Sequence, residues 1–179
     1  PVEEVDSPAR VAVLAVTVAD GRSTGVTLWP ADEDRPAHAS LVVSGKDGPR
    51  TACFPIGVAL AATWDPALVE QAGAALGVEA KLKGARVLLA PTVNLHRTVY
   101  NGRNFECHAE DPWLASQIAV AYVKGVQSQG VAATIKHYVG NESEYQRTSA
   151  SSNIPERALR ELYLLPFERA VKEAGVMAV

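Results

Sequence analysis

From residue 65 onward, the apolar residues form a helical stripe followed by a short apolar run. The pattern predicts a helix that begins at Asp65-Pro66, with the aspartate as N-cap and the proline at the first helical position. It ends at Lys83-Gly84, where glycine supplies a left-handed C-terminal residue. Its predicted inward face consists of Leu68, Ala72, Ala75, Leu76 and Ala80. A short apolar strand over 86–90 follows directly.

The same pattern occurs a second time. Asp111-Pro112 is predicted to cap and open a helix that ends at Gln129-Gly130, and a strand over 131–135 follows it. The predicted inward face of this helix consists of Leu114, Ile118, Ala121 and Val126.

A third helical region completes the series. It is predicted to begin near Asn153, which would cap the helix together with Glu156 three positions on. Pro166 is expected to kink or split this helix, because proline lacks the backbone donor that a helix interior needs. The helix is predicted to end at Gly175, and a third strand is predicted over 176–179.

This repeated order of helix, glycine, strand and polar loop predicts an α/β fold with parallel strands. Two long loops, over 91–111 and 136–153, follow predicted strands, as do the active-face loops of a (β/α)8 TIM-like barrel. A doubly wound sheet is the alternative, but no glycine-rich phosphate loop follows any of these strands. Because a complete barrel needs about 250 residues, we expect the chain to be the N-terminal portion of an incomplete barrel, a part of a larger domain.

Residues 1–46 show a less regular arrangement of apolar and polar residues. Apolar runs over 11–18 and 25–29 predict short strands, and turn-forming residues surround them. No role is assigned to this N-terminal segment, and the barrel portion is predicted to span 47–179.

Composition narrows the function classes. A net charge of −3 offers no basic surface for nucleic acid, and no apolar run approaches the roughly 20 residues of a membrane span. Cys53 and Cys107 are too few for a disulfide framework, and the spacing of Cys107 from His96 and His108 matches no metal-ligand motif. We therefore expect no metal, no cofactor, and neither nucleic acid nor membrane as a partner. The chain opens on Pro1 without an initiator methionine or signal peptide, so processing or excision is expected and the compartment stays open.

Candidate chemistry lies mainly in the two long loops. Lys136 and His137 end a predicted buried strand, where cations are costly unless a polar or anionic group meets them. Adjacent strand residues point to opposite faces, so both reach one ligand only if the backbone is irregular. Arg103 could donate fork-like hydrogen bonds to sugar hydroxyls, or it could pair with Glu106 or Glu110 to fix its loop.

Two further residues have simpler interpretations when taken alone. Asp47, in an Asp-Gly-Pro sequence, is typical of a turn. Arg147 follows Glu144 by three residues and could form a surface ion pair with it.

Several ordered blocks together resemble glycoside hydrolase family 3, the β-glucosidase group. They are DGP from Asp47, FPIGVALAATWDPALVEQAGAALGVEAKLKGARVLLAPTVNLHR, GRNFE, EDP, GVQSQGVAATIKHYVGNESEYQR and ERALRELYLLPFERAV. The resemblance covers about residues 47–179 and implies the first part of that family's amino-terminal (β/α)8 domain.

The resemblance also implies roles for single residues. Asp47, Arg103, Lys136 and His137 would line the −1 sugar subsite, and Arg147 would support the catalytic carboxylate. The family's enzymes are retaining, with an Asp nucleophile in an SDW-type motif and a Glu acid/base in a following domain. Neither motif occurs in this chain, so no catalytic residue is expected in it. The implied partners are a β-glucoside or related oligosaccharide, the remainder of the barrel and a following domain.

Two alternatives accompany this hypothesis. The chain could be a catalytically inert sugar-binding or vestigial fragment, because it lacks both carboxylates. It could also belong to a β-N-acetylglucosaminidase of the same family, which carries a KHFPGHG-type loop with a catalytic histidine. The corresponding loop here reads KHYVGNE, with no histidine after His137, and this favours the glucosidase.

Overall fold

The computed structural model describes residues 52–179 and, as backbone only, three strands nearer the N-terminus. These strands are β1 (Val11–Val13), β2 (Ser23–Trp29) and β3 (His38–Ser44). The predicted strand over 11–18 is thus observed at its start, and the one over 25–29 lies within β2. We did not predict β3. Asp47 and the predicted domain boundary beside it lie outside the described residues.

Five strands in the described part of the chain form one mixed sheet. Two very short strands, β4 (Val87–Leu88) and β5 (Ala132–Ala133), continue the sheet, whose order is β3-β2-β1-β4-β5. The β1–β2 and β2–β3 pairs are antiparallel, whereas β1–β4 and β4–β5 are parallel. The predicted third strand is present only as a parallel bridge between Thr134 and Ala178. The parallel succession predicted from residue 86 onward is therefore confirmed, with shorter strands than expected.

The helices confirm two of the three predicted caps. The helices are α1 (Gly57–Ala61), α2 (Pro66–Leu82), α3 (Pro112–Ser128), α4 (Glu156–Ala158) and α5 (Leu165–Ala174). The Asp65 carboxylate accepts hydrogen bonds from the backbone N–H groups of Ala67 (3.0 Å) and Leu68 (3.1 Å). The Asp111 carboxylate accepts from the N–H of Leu114 at 2.9 Å. Local sequence was sufficient for both helix starts.

The predicted cap of the third helical region is wrong. The helix begins at Glu156 after Pro155, with no side-chain cap. A residue that precedes proline is driven toward extended backbone, so the helix cannot start before Pro155. The Asn153 side chain instead accepts a hydrogen bond from Ser151. The predicted split is confirmed, because a π-helical turn over Leu159–Tyr163 separates α4 from α5, which has Pro166 in its first turn.

The inward face of α2 also differs from the prediction. Val69, Gly73, Gly77 and Ala80 are buried, whereas Leu68 and Ala75 are exposed. The reason is a close helix crossing: a Cβ on Gly125 of α3 would lie 2.2 Å from the Glu70 carbonyl oxygen. The glycines let the two backbones meet, so the buried face of α2 is centred on residues without large side chains.

The core lies between these helices and the parallel strands. One cluster joins α2, α3 and β5 through residues such as Val69, Ile118 and Ala133. A second joins α3 to α5 through Ala119, Phe167 and Ala170. The predicted inward residues of α3 are buried or half-buried, as is most of that helix. Within residues 52–179 no helix has the length and hydropathy of a membrane span.

Candidate functional site

The two long loops begin at the ends of β4 and β5, and their first residues lie side by side. The backbone N–H of Val93 donates to the Lys136 carbonyl at 2.8 Å, and the N–H of Lys136 donates to the Pro91 carbonyl at 3.0 Å. Thr92 forms parallel bridges with both Lys136 and Cys107. The polar residues of both loops therefore gather at the carboxyl ends of β4 and β5, as the sequence predicted.

Arg103 lies between two carboxylates. Its Nε donates to Glu106 Oε1, and its terminal nitrogen lies 3.4 Å from Glu144 Oε1. Glu106 Oε2 accepts a hydrogen bond from the Thr92 hydroxyl at 2.9 Å. The Glu106 hydrogen bond is the main cause of the raised pKa of Arg103. The predicted Arg103–Glu106 pair is thus present, and Glu144 adds a contact that sequence reasoning missed.

Glu106 keeps its charge at this position. Burial alone would raise its pKa, but hydrogen bonds from Arg103 and Thr92 and the charges of Arg103 and Lys136 together lower it. A stable carboxylate therefore faces the cations that gather at the ends of β4 and β5, as buried cations require.

Arg147 forms the ion pair that the sequence suggested. Its guanidinium lies 2.6 Å from Glu144 Oε2, and the Asn141 amide donates to Glu144 Oε1 at 3.1 Å. Burial would raise the pKa of Glu144, whereas the hydrogen bonds from Arg147 and Asn141 and the charge of Arg103 lower it. Glu144 consequently connects two of the predicted site residues, Arg103 and Arg147.

Lys136 and His137 are both half-buried, and the peptide bond between them is cis. Burial lowers the pKa of Lys136, an effect that the charge of Glu106 opposes. Burial also lowers the pKa of His137, and the positive charges of Arg103 and Lys136 add to that effect. These mutual electrostatic effects indicate that Arg103, Lys136 and His137 lie close to one another.

His137 has a hydrogen-bond partner that the sequence did not indicate. The Asn94 side-chain oxygen lies 2.8 Å from His137 Nδ1 and 3.3 Å from the His137 backbone nitrogen. Asn94 is buried, with 5% of its surface exposed. It lies between Val93 and Leu95 in the segment PTVNLH, and no local pattern marks it as a site residue.

A cavity of about 800 Å³ opens beside this neighbourhood. Its lining includes Arg97 and residues 137–143, among them His137, and also Arg147. Glu142 also lines it, and burial raises the pKa of this carboxyl to about 7. Arg103 and Lys136 are not part of this cavity wall.

His96, Cys107 and His108 do not form a metal site. Among the described residues, no group of three or more His, Cys, Asp or Glu side chains could hold a metal ion. Burial raises the pKa of the Cys107 thiol to about 12 and lowers the pKa of His108 to about 4. Both residues are buried.

Comparison with known proteins identifies the family to which the chain belongs. The profile described as "Glycosyl hydrolase family 3 N terminal domain" matches residues 42–179, which is most of the chain. The chain belongs to glycosyl hydrolase family 3. The match includes all of the blocks that carried the resemblance, and it confirms that identification.

Relatives within glycosyl hydrolase family 3 are closely similar in sequence. The chain is 67% identical over 132 residues to a β-glucosidase of Rhizobium radiobacter, an alignment that covers 74% of this chain and 16% of that protein. It is 55% identical over 134 residues to β-glucosidase B of Emericella nidulans, covering 75% and 16%. The chain therefore spans about a sixth of the length of these curated relatives.

Solved family 3 structures share the fold. The β-glucosidase of Kluyveromyces marxianus in complex with glucose superposes with a TM-score of 0.72 at 48% identity, covering 74% of this chain and 16% of that one. β-Glucosidase 3B of Thermotoga neapolitana, also in complex with glucose, gives a TM-score of 0.73 at 40% identity, covering 83% and 22%.

Proposed function

We propose that the full-length product of the gene encoding this chain is a retaining β-glucosidase-type glycoside hydrolase. Residues 47–179 would be the first part of its (β/α)8 domain, and this chain would supply part of the −1 sugar subsite. The catalytic Asp and Glu would come from later parts of the polypeptide. The observation that carries the proposal is the convergence of Arg103, Lys136 and His137 at the carboxyl ends of β4 and β5 in a family 3 chain.

The charges of this neighbourhood suit a polyhydroxylated ligand. Arg103 is anchored by Glu106 and Glu144 and keeps donor groups in a fixed orientation. Lys136 is half-buried near Glu106, and its ammonium group carries donors only. Hydrogen bonds from such preorganised groups strengthen as charge develops in the transition state of glycoside hydrolysis.

The other two residues complete the proposed subsite differently. Asp47 would bind hydroxyl groups of the glycosyl unit. Arg147, which Glu144 holds beside Arg103, would support the region in which the catalytic carboxylate acts. The proposed substrate is a β-glucoside or a related oligosaccharide, and no cofactor takes part.

The test is hydrolysis of an aryl β-glucoside by the full-length gene product. Lys136→Met should lower kcat/KM by roughly 30- to 1,000-fold, which corresponds to about 2–4 kcal/mol of lost transition-state stabilisation. Lys124→Met, at an exposed position of α3, is the matched control and should leave kcat/KM unchanged. Unaltered kinetics in the Lys136 variant would contradict the proposed subsite.

The 179-residue chain on its own should be inert. Glycoside hydrolysis requires two carboxylates in defined positions, and the proposal assigns both to other parts of the polypeptide. Purified chain assayed with the same aryl glucoside should show no turnover above background. Measurable turnover would mean that a carboxylate within this chain performs the chemistry.

A further inference from the structure

One atom of the Asn94 side chain, Oδ1, contacts two nitrogen atoms of His137. Its Oδ1 lies 3.3 Å from the His137 backbone nitrogen and 2.8 Å from Nδ1 of the same residue. A backbone N–H only donates, so the Asn94 atom that faces it must be the carbonyl oxygen. That oxygen accepts and does not donate, so the His137 Nδ1 that faces it must carry a proton.

This arrangement fixes the chemistry of the other imidazole nitrogen. In a neutral imidazole with a proton on Nδ1, Nε2 carries a lone pair and accepts hydrogen bonds. His137 lines the cavity beside the site. The imidazole therefore offers a ligand beside it an acceptor, whereas the neighbouring Arg103 and Lys136, which lie outside this cavity wall, carry only donors.

The charges around His137 favour its neutral form. Arg103 and Lys136 oppose a positive charge on the ring, and Glu106 and Glu144 favour one. Burial and the two cations prevail, and they lower the pKa of His137 below its ordinary value. At neutral pH the ring therefore remains uncharged.

The amide end of Asn94 faces a different group. Its interaction with Glu142 opposes the burial that raises the pKa of this carboxyl to about 7. Asn94 thus uses its carbonyl oxygen toward His137, and its amide nitrogen is the end that can donate toward the Glu142 carboxyl. An asparagine supplies both from one buried side chain, and neither aspartate nor leucine does.

We propose that Asn94 is a positioning residue of the active site, which holds His137 in the Nδ1–H form so that Nε2 accepts a hydrogen bond from a sugar hydroxyl. This inference rests on the proposed β-glucosidase function and adds a residue to it. Asn94 acts through His137 and has no contact with the substrate in this scheme.

The first experiment is a pH profile of kcat/KM for Asn94→Asp in the full-length gene product with an aryl β-glucoside. A carboxylate opposite Nδ1–H stabilises the charged imidazole, and Glu142 can take up a proton to relieve the new repulsion. Protonated His137 has no acceptor at Nε2. The acid limb of the profile should therefore move upward by about one pH unit, with activity above pH 8 nearly retained.

The second experiment is a double-mutant cycle. Asn94→Leu removes the acceptor and should lower kcat/KM about tenfold or more at every pH, because the imidazole is no longer held. In a His137→Gln background the same change should have little further effect. Thr134→Val is the control: its buried hydroxyl has no hydrogen-bond partner among the described residues, so the valine should leave both kcat/KM and the pH profile unchanged.

The outcomes separate this inference from the proposed function. No turnover by the wild-type protein would overturn the proposed function, and this inference with it. Turnover by the wild-type protein, together with an unmoved acid limb in Asn94→Asp and additive effects in the cycle, would overturn the role of Asn94 alone. Thermal melting of each variant measures its folded fraction, and the cycle reports coupling even where one variant is less stable.

Discussion

The Arg103 guanidinium lies 3.4 Å from the Glu144 carboxylate, and this ion pair joins the loop after β4 to the loop after β5. Glu144 also binds Arg147 at 2.6 Å, and Arg103 also binds Glu106. The two proposed subsite arginines are therefore held by one shared carboxylate. The position of Arg103 therefore depends in part on the loop after β5, whereas Arg147 is held by a carboxylate of its own loop.

Glu144→Gln tests this dependence. The amide keeps the shape of the side chain but loses the charge that holds both arginines, while Glu106 still anchors Arg103. We expect kcat/KM of the full-length gene product to fall about tenfold on an aryl β-glucoside, a loss typical of a partly exposed charge-assisted contact.

Glu161→Gln is the matched control for that change. Glu161 pairs with Arg157 at 3.0 Å on an exposed helix surface, so its replacement should not alter the kinetics. Equal kinetic effects of the two substitutions, or none from either, would show that Glu144 does not organise the site.

Gly125→Ala tests the close crossing of α2 and α3. The new methyl group would lie 2.2 Å from the Glu70 carbonyl oxygen and 2.8 Å from the Ala74 backbone nitrogen. Alanine favours a helix over glycine by about 1 kcal/mol, but the clash is with backbone atoms, which cannot move aside. The free energy of unfolding, measured with urea, should fall by about 2 kcal/mol net.

Gly102→Ala provides the comparison for that measurement. A Cβ at Gly102 would meet no atom within 4 Å, so this substitution should change the free energy of unfolding by less than about 0.5 kcal/mol. A Gly125 variant as stable as the wild-type protein would mean that the two helices are not in close contact.

His108 predicts a loss of stability in acid. Burial lowers its pKa to about 4, an effect that a hydrogen bond with the Ala115 backbone opposes and the neighbouring His96 reinforces. The unfolded chain takes up a proton near pH 6.5, where the folded protein does not, so stability decreases as the pH falls from about 6.5 to about 4. His108 should account for about 3 kcal/mol of that decrease.

The measurement is the free energy of unfolding at pH 7 and pH 4 for the wild-type protein and for His108→Gln. Glutamine does not titrate in this range, so the variant should lose less stability between the two pH values. The same pH dependence in both proteins would contradict a buried, neutral His108.

Local sequence predicted the features that depend on local chemistry. Asp65 and Asp111 act as caps because a carboxylate, a proline and an apolar stripe follow one another within a few residues. The parallel order of the strands followed from the repeated pattern. The proximity of Lys136, His137 and Arg103 was predictable, because loops at the carboxyl ends of parallel strands share one face.

Features that depend on distant residues were not predictable. Asn94 and His137 meet because two loops run side by side, and nothing near Asn94 in the sequence indicates this. The shared role of Glu144 requires the same loop pairing. The prediction of the buried face of α2 was wrong because glycine is a weak helix former and Gly73 was not expected on that face. In the structure Gly73 allows the backbone of α3 to approach closely.

The stereochemistry of hydrolysis tests the central claim most directly. The full-length gene product should be incubated with an aryl β-glucoside, and the anomeric protons of the released glucose followed by NMR from the first minute. Double displacement predicts that β-glucose appears first and α-glucose only later, by mutarotation. Release of α-glucose first, or no release of glucose, would contradict the assignment of this chain to a retaining β-glucosidase.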